Sequence, residues 1–506
     1  MIERPKLLWY GRPVTSDDKR EAENRHLLIE EPAPDAEPDF IHARAAIFWA
    51  TKPHFHSAVT QLEAQLVAAV NNGLFVFVVV ETAGELKEVT RVFTALHPEG
   101  AGDGSYRVRT SGPSSPVQPY EAPQESLMHP VRPGANRSLL IDTPINVDLS
   151  NDQRLLLERA FHDCKAIKLE LITGGLSGAM TFYVQATLAA SNAGPTPMPY
   201  FAKLHDSAQL REEMSSYQEY AEHHVAWYLR PDFLPVRCLY GVRQGILVGR
   251  FAEGSRSLWD IAVVGQGPSH IRSLFNDTLG ILRRDRQVID AVTHGSVVEP
   301  LDAFCKHWRV SSDRVDLARQ FSVDVQTPAT LWRKLLNLPT QRWLRSPIHG
   351  DMHANNVRVR KEDAIVIDFA HATLGPMCAD LASLEVWLTF EWMDGLHFDR
   401  AEWKQRVECM YRPSDLMHVS WSQDDPVMNH WLPPCLFEIR LLAKDCTLGA
   451  DEYLRVLAVY LLRHATFPAN VRCANDDEFR RAYAYWLANR LVAHLCQAQV
   501  PDLEAA

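Results

Sequence analysis

The sequence predicts an α+β protein of more than one domain, and three features of the chain support that prediction. Residues 1–110 alternate short apolar runs with helix-like segments, which is typical of a small α/β layer. A proline-rich segment follows. Beyond it the pattern changes to strand-like runs joined by short turns, and then to a long helix-rich region. The 506 residues are enough for about two to four domains, since domains average roughly 150 residues.

The composition is that of an ordinary globular protein, with 46% apolar and 23% charged residues. The formal net charge of -11 disfavours general attraction to nucleic acid or to an anionic membrane surface, so neither is expected as a partner. The longest apolar runs fall far short of the roughly 20 residues that a membrane helix needs. The first residues lack the apolar region of a secretory signal, and the nine cysteines form no CxxC pair. We therefore expect a cytoplasmic protein with reduced thiols.

The first 110 residues predict a βαβ-type layer. Apolar runs at 7–10, 45–49 and 74–80 predict strands, and the last run, being apolar throughout, suits a strand buried on both faces. Apolar residues at helical spacing predict a helix from Ser57 to a C-terminal cap at Gly73. Another helix is predicted over 82–96 and a last strand over 106–109. The polar stretch 15–26 is assigned no helix.

This layer resembles a receiver or flavodoxin domain. It lacks a glycine-rich phosphate-binding turn, and Asp17 and Asp18 follow the first strand at a distance instead of standing at its tip. An acidic phosphoacceptor pocket is therefore not predicted. We expect a regulatory or docking domain that offers a surface to a protein partner.

Residues 112–134 hold six prolines and little periodicity, so we predict a linker over residues 111–149. Ser150 then precedes a predicted helix at 152–161.

The segment SPIHGDMHANNVRV, residues 346–359, together with the strand-like run ending in Asp368, carries the chemistry. Asp351 stands five residues before Asn356, and we expect both on a loop between a helix and a short strand. Phosphoryl transfer needs one carboxylate to orient a hydroxyl and accept its proton. It also needs oxygen ligands for magnesium, and an amide with a second carboxylate supplies these. The two acids and the amide therefore predict a phosphotransferase site.

HGDMHANN followed by VIDFA resembles the motif pair of the aminoglycoside phosphotransferase and choline kinase-like superfamily, relatives of the protein kinases. The resemblance implies a bilobal protein-kinase-like fold, with a small β-rich N-lobe at 150–255 and a helical C-lobe at 256–506. It implies ATP and Mg²⁺ as cofactors, Asp351 as the catalytic base, and Asn356 and Asp368 as metal ligands. It also places His349 in the catalytic loop, which this histidine braces through hydrogen bonds.

The upstream sequence offers the remaining parts of such a kinase. A glycine-rich turn lies between two predicted strands, and its backbone N–H groups can approach phosphate oxygens. The residues of this turn predicted to bind nucleotide are Gly174, Gly175, Ser177 and Gly178. Lys203 is a lone cation in an apolar strand, and the resemblance implies that it contacts the α- and β-phosphates. On the following helix, predicted over 209–227, Glu213 is the expected partner of Lys203 and Glu212 is the alternative.

The string IDFAHATLGPMCADLASLE is most similar to a bacterial branch of this superfamily, the ternary complex associated domain, which occurs in signalling and conflict systems. In the superfamily the acid at Asp380 braces the catalytic loop. The C-terminal helices build the acceptor pocket, where acids either recognise a cationic acceptor or belong to solvated helix faces. Those acids are Glu385, Asp445, Asp451 and Glu452.

Two functions remain open from the sequence. The first is an ATP- and magnesium-dependent transfer of a phosphoryl group to a hydroxyl of a small molecule or a protein. The second is a non-catalytic, nucleotide-binding scaffold that recruits a partner through its N-terminal domain.

Overall fold

The fold is taken from a computed structural model that divides the chain into two compact units. One unit comprises Met1–Glu212 and Asp232–Phe251, and the other Glu213–Pro231 and Ala252–Ala506. The structure describes residues 5–33, 38–40, 42–50, 55–80, 108–111, 133–172, 178–189, 198–290, 295–391, 398–417, 429–469 and 474–497.

The first unit begins with a parallel sheet of five strands in the order β2-β1-β3-β4-β5. Its elements are β1 (Lys6–Tyr10), α1 (Ser16–Asn24), β2 (Leu28–Glu30), β3 (Ala43–Ala50), α2 (Phe55–Asn71), β4 (Phe75–Val80) and β5 (Val108–Ser111). The three apolar runs form strands as predicted, and the helix between the second and third is present. The predicted helix at 82–96 lies outside the described residues. The strand order is that of flavodoxin-like sheets, and the likeness to a receiver or flavodoxin domain stays a prediction.

Helix α1 was not predicted, because its sequence is almost entirely polar. Only Asp18 and Ala22 are buried on it. The Thr15 side chain accepts a hydrogen bond from the Asp18 backbone, and the Asp18 carboxylate accepts from the Thr15 backbone, which makes a capping box. The Asp18 carboxylate also receives two bonds from Arg12, at 2.7 and 2.9 Å. Asp18 therefore stabilises the start of a helix through local bonds that hydrophobic periodicity does not reveal.

The second sheet of the first unit has seven strands and runs β10-β12-β9-β8-β7-β6, with β11 paired to β12. Its strands are β6 (Leu140–Asp142), β7 (Cys164–Leu171), β8 (Met180–Leu188), β9 (Met198–Asp206), β10 (Asp232–Phe233), β11 (Leu239–Tyr240) and β12 (Gln244–Arg250). Helix α3 (Asn151–Ala160) has the predicted Ser150 cap, and α4 (Ser207–Ser216) continues into a π-turn at Tyr217–Glu222. The segment predicted as a linker, residues 111–149, contains strand β6. The strand forms there because it pairs in parallel with β7, which lies beyond that segment. Residues 112–132 of that segment lie outside the described residues.

The two sheets of the first unit are joined through Asn71, the last residue of α2. Its Oδ1 accepts a hydrogen bond of 2.8 Å from the Val242 backbone, and its Nδ2 donates to Asp152 at 3.1 Å. The buried Arg159 side chain donates to the Asn71 carbonyl oxygen. A Cβ at Gly73, where φ is +80°, would overlap the Arg159 guanidinium. The N-terminal layer is therefore attached to the second sheet by buried polar contacts.

The second unit is helix-rich and holds two three-stranded sheets, β13-β16-β17 and β14-β15-β18. Its strands are β13 (Arg256–Ser257), β14 (Gln287–Ile289), β15 (Trp343–Ile348), β16 (Val357–Arg360), β17 (Asp363–Val366) and β18 (Thr373–Pro376). Its helices are α5 (Leu258–Ala262), α6 (Gly267–Ser273), α7 (Gly280–Arg284), α8 (Asp302–Cys305), α9 (Ser312–Arg319), α10 (Pro328–Leu336), α11 (Ala379–Phe390), α12 (Arg400–Met410), α13 (Leu432–Lys444), α14 (Ala450–His464) and α15 (Ala474–Gln497).

In the described part of the chain, no helix has both the length and the apolar character needed to cross a membrane. Both units mix helices and strands, as the predicted α+β class requires. The domain boundaries at 110, 149 and 255 and the bilobal arrangement stay a proposal.

Two acids that were considered for acceptor recognition are buried inside the helical unit. The Glu385 carboxylate is fully buried and receives bonds from Arg440 at 2.7 Å and from the Tyr453 hydroxyl at 2.7 Å. The Glu452 carboxylate accepts from the backbone N–H groups of Leu344 and Leu448, at 3.1 and 2.8 Å. Neither carboxylate lies on a solvated helix face or is free to bind an acceptor, because both accept hydrogen bonds from groups inside the protein.

Candidate active site

The HGD segment forms a loop that enters from a strand. Asp351 follows β15 and precedes a 3-10 turn at Ala354–Asn356, which leads into β16. The expectation that a helix precedes this loop was therefore wrong. The run WLRSPI pairs with β14 and β18, and its side chains alternate in burial, so it is held as a strand by pairing partners distant in sequence.

The loop is anchored by the carboxylate of Asp380, at the start of α11. Asp380 accepts hydrogen bonds from the backbone N–H groups of His349 at 2.7 Å and Gly350 at 3.0 Å. Gly350 has φ +79°, and a Cβ there would overlap the carbonyl oxygen of His371, so the position requires glycine. The predicted bracing role of Asp380 is confirmed by these bonds.

His349 is fully buried and joins the loop to the strand before Asp368. Its Nε2 lies 3.0 Å from the Ile367 carbonyl oxygen, and its Nδ1 accepts from the Asp351 backbone N–H at 3.4 Å. These partners assign the neutral tautomer with the proton on Nε2. Both ring nitrogens form hydrogen bonds within the protein. His349 therefore positions the loop, in agreement with the prediction that it braces the loop through hydrogen bonds.

Asp351, the predicted base, is paired with Arg463. Arg463 Nη2 donates to Asp351 Oδ1 at 2.7 Å, and Arg463 Nη1 donates to the Gly350 carbonyl oxygen at 3.2 Å. His353 Nε2 lies 3.8 Å from the other oxygen, Asp351 Oδ2. Burial would raise the pKa of Asp351, but the positive charge of Arg463, with smaller effects of the nearby histidines, lowers that pKa to about 2. The carboxylate is therefore ionised at neutral pH.

Arg463 is the site residue that the sequence analysis missed. It stands near the end of α14, and its guanidinium lies 5.6–5.7 Å from the ring centroids of Phe304, Tyr460 and Phe467. A signal was present in the sequence, since Arg463 directly follows the apolar run Val456–Leu462. Lys203 was recognised by a related signal, since it is a cation within an apolar run.

Asn356 and Asp368, the predicted metal ligands, are connected through the backbone. Asn356 Nδ2 donates to the Asp351 carbonyl oxygen at 3.0 Å, and the Ile367 N–H donates to the Asn356 carbonyl oxygen at 2.9 Å. Asp368, the next residue after Ile367, has φ +64°, an uncommon left-handed conformation for a non-glycine residue. Because the amide nitrogen of Asn356 is engaged, its Oδ1 is the atom left for a ligand. One amide oxygen and one carboxylate form a donor set that fits Mg²⁺.

Two histidines beside Asp351 have pKa values below their usual range. Burial lowers the pKa of both His353 and His371, and the negative charge of Asp351 only partly opposes this. The His353 ring stacks on Trp387 with centroids 5.6 Å apart. In the described part of the chain, no group of three or more His, Cys, Asp or Glu side chains could hold a metal ion.

The upstream nucleotide residues are only partly described. Gly174, Gly175 and Ser177 lie outside the described residues, while Gly178 is exposed with φ +75°. Lys203 and Glu213 are buried, with 8% and 4% exposure, whereas the alternative Glu212 is exposed. Lys203 belongs to the first unit and Glu213 to the second, and their ion pair stays a prediction.

A family model described as Ternary complex associated domain 9 matches residues 287–464. This range contains Asp351, Asn356, Asp368 and Arg463. The resemblance to the ternary complex associated domain branch, predicted from the sequence, is confirmed for this part of the chain. No curated protein matches the sequence.

Several solved kinase structures are similar to the chain. One is an amicoumacin kinase in complex with AMP-PNP and Ca²⁺, with a TM-score of 0.35 and 11% identity over 64% of this chain and 88% of that one. A choline/ethanolamine kinase family protein from Mesorhizobium loti has a TM-score of 0.33 and 13% identity over 64% and 92%. A glucosamine kinase in complex with glucosamine, ADP and inorganic phosphate has a TM-score of 0.32 and 12% identity over 67% and 96%.

Proposed function

We propose that the chain is an ATP- and magnesium-dependent phosphotransferase that moves the γ-phosphoryl group to a hydroxyl of an acceptor, with a bilobal protein-kinase-like fold. The observation that carries the proposal is the braced loop. Asp380 and His349 fix the backbone around Asp351, and Asn356 ties that backbone to the strand preceding Asp368. These bonds support the proposal because phosphoryl transfer needs a base, an amide oxygen and a second carboxylate on one braced segment.

In this proposal Asp351 orients the acceptor hydroxyl and takes its proton. The hydroxyl oxygen forms a bond to the γ-phosphorus, the bond from that phosphorus to the β-γ bridging oxygen breaks, and ADP leaves. A carboxylate with a lowered pKa is a weak base, and the loose transition state of phosphoryl transfer depends more on positioning of the hydroxyl than on a strong base.

Magnesium would be held by Asn356 Oδ1 and the Asp368 carboxylate, where it would neutralise charge on the β- and γ-phosphates. Lys203 would contact the α- and β-phosphates, Glu213 would position Lys203, and the turn at 174–178 would cover the phosphates. The N-terminal layer would be the surface for a protein partner.

A second candidate is favoured by one observation, the Arg463–Asp351 ion pair. Arg463 occupies one oxygen of the base and weakens its basicity. A nucleotide-binding scaffold without turnover could keep such a pair permanently. The two candidates differ in whether ADP is released.

The test compares wild type with three acid-to-amide variants by calorimetric titration of ATP with Mg²⁺ and by ADP release. Asp368→Asn should weaken nucleotide binding and turnover together, because it removes a charge from the metal site. Asp351→Asn should leave nucleotide affinity nearly unchanged and lower turnover by about 10²–10⁴-fold, the usual effect of losing a positioned base. Asp363→Asn, a partly exposed acid of β17, is the control and should behave as wild type.

Absence of nucleotide binding at millimolar ATP would overturn both candidates. Binding without ADP release, unchanged by Asp351→Asn, would favour the scaffold.

A further inference from the structure

Resting on the proposed phosphotransferase, we infer that the acceptor carries an anionic group, a carboxylate or a phosphate, near the hydroxyl that reacts, and that Arg463 binds this group. Arg463 then determines acceptor specificity as well as holding the base.

The first argument is proximity. The acceptor hydroxyl must reach the Asp351 carboxylate, and Arg463 is already bonded to that carboxylate through Oδ1 at 2.7 Å. The two oxygens of one carboxylate are about 2 Å apart, so a hydroxyl on Oδ2 lies close to the guanidinium. A charged group of the acceptor beside this hydroxyl therefore interacts electrostatically with Arg463 at short range.

The second argument is the donor capacity of Arg463. A guanidinium has five N–H donors. Within the described residues two of them are used, toward Asp351 Oδ1 and the Gly350 carbonyl oxygen. Planar N–H pairs of arginine match the two oxygens of a carboxylate or phosphate. The aromatic rings of Phe304, Tyr460 and Phe467 hold the guanidinium in place, so little entropy is lost when it binds an anion.

The third argument is the balance of charge. Arg463 neutralises Asp351 in an ion pair of 2.7 Å. Two of the four acids considered for a cationic acceptor are committed elsewhere, since Glu385 pairs with Arg440 and Glu452 accepts backbone bonds, while Asp445 and Asp451 are exposed. Asp351 and Arg463 thus form a neutral ion pair in which the guanidinium keeps spare N–H donors. Such a pair favours an anionic acceptor over a cationic one.

The experiment measures transfer of labelled phosphate from ATP with Mg²⁺ to two series of acceptors whose members have similar frameworks and different charge. The first series is glucuronate, glucose and glucosamine, and the second is a serine peptide with acidic, neutral or basic flanking residues. If a compound is not phosphorylated, its affinity is read from its inhibition of ATP hydrolysis.

Three variants accompany wild type. Arg463→Gln removes the charge and Arg463→Lys retains it without the planar N–H pairs. Arg455→Gln is the matched control, because Arg455 is another buried arginine of α14 and donates to the Pro339 carbonyl oxygen, away from the base. Affinity for ATP with Mg²⁺ is measured for every variant and should stay at the wild-type value.

Wild type should prefer the anionic member of a series over the cationic member by about tenfold or more in kcat/KM, mainly through KM for the acceptor. Arg463→Gln should abolish or invert this order, Arg463→Lys should keep part of it, and Arg455→Gln should keep all of it. A wild-type preference for the cationic member, or an order unchanged in Arg463→Gln, would overturn the inference. Such a result, with nucleotide binding and transfer intact, leaves the proposed function standing, whereas absent nucleotide binding removes the proposed function itself.

Discussion

The carboxylate of Asp380 and the backbone of His349 are joined by a hydrogen bond of 2.7 Å, across 31 residues of sequence. The second oxygen of the same carboxylate binds the N–H of Gly350 at 3.0 Å. The start of α11 therefore holds the two residues that precede Asp351, and the position of the predicted base depends on the Asp380 side chain.

Replacing Asp380 by Asn should destabilise the fold and reduce turnover. An amide has one acceptor oxygen, so one of the two buried N–H groups loses its partner, which costs about 1–3 kcal/mol in the free energy of unfolding. Urea unfolding measures this cost. Asp277→Asn, at an exposed acid of the same unit, is the control, and equal stability of the two variants would contradict the bracing role.

The buried pair of Glu385 and Arg440 should show strong coupling. Both side chains are fully buried, and the Glu385 carboxylate also receives the Tyr453 hydroxyl. Glu385→Gln leaves an uncompensated buried guanidinium, so it should cost about 3–5 kcal/mol of unfolding free energy. Combining it with Arg440→Met should cost much less than the sum of the two single changes. Strict additivity in urea unfolding would show that the pair contributes no coupling.

Glu452 should make stability depend on pH. Burial raises the pKa of its carboxyl to about 7, while its two backbone donors oppose that rise. Between its ordinary pKa and pH 7 the folded state therefore keeps a proton that the unfolded state releases. The free energy of unfolding accordingly falls as the pH rises through this window and levels off above it, with a total change of about 3 kcal/mol.

The slope is isolated by comparing wild type with Glu452→Gln in urea unfolding from pH 5 to pH 8. The variant cannot ionise at this position, so the difference in unfolding free energy between the two proteins should change from pH 5 to about pH 7 and level off toward pH 8. Asp451→Asn, at the exposed neighbouring acid, should keep the wild-type slope. A pH-independent difference between wild type and Glu452→Gln would contradict the raised pKa.

Asn71→Ala should loosen the attachment of the N-terminal layer to the second sheet of the first unit. The change leaves the buried Val242 N–H without its acceptor, at a cost of about 1–3 kcal/mol. Hydrogen exchange at Val242 should become faster. Asn72→Ala is the control, because the Asn72 side chain, just after α2, donates to the Ala68 carbonyl oxygen of that helix. Similar exchange in both variants would disprove the role of Asn71.

The sequence by itself determined strands β1, β3 and β4 of the N-terminal layer and the residues of the candidate catalytic loop. Apolar runs such as Phe75–Val80 specify buried strands because no other placement removes so much apolar surface from water. Asp351, Asn356 and Asp368 were recognisable because their chemistry requires particular residue types at short spacing. Ser150 was recognisable as a cap because capping is a local interaction.

Only the tertiary structure decided which distant groups meet these residues. Arg463 is 112 residues from Asp351, and Glu385 is 55 residues from Arg440. Hydrophobic periodicity predicts which face of a helix a side chain occupies. It does not predict which residues of another helix or strand contact that face. For the same reason the strand before Asp351 was taken for a helix, since β14 and β18, its pairing partners, lie far from it in the chain. Residue chemistry is thus local information, whereas the partner that sets a charge or orients a base is fixed by packing over long sequence distances.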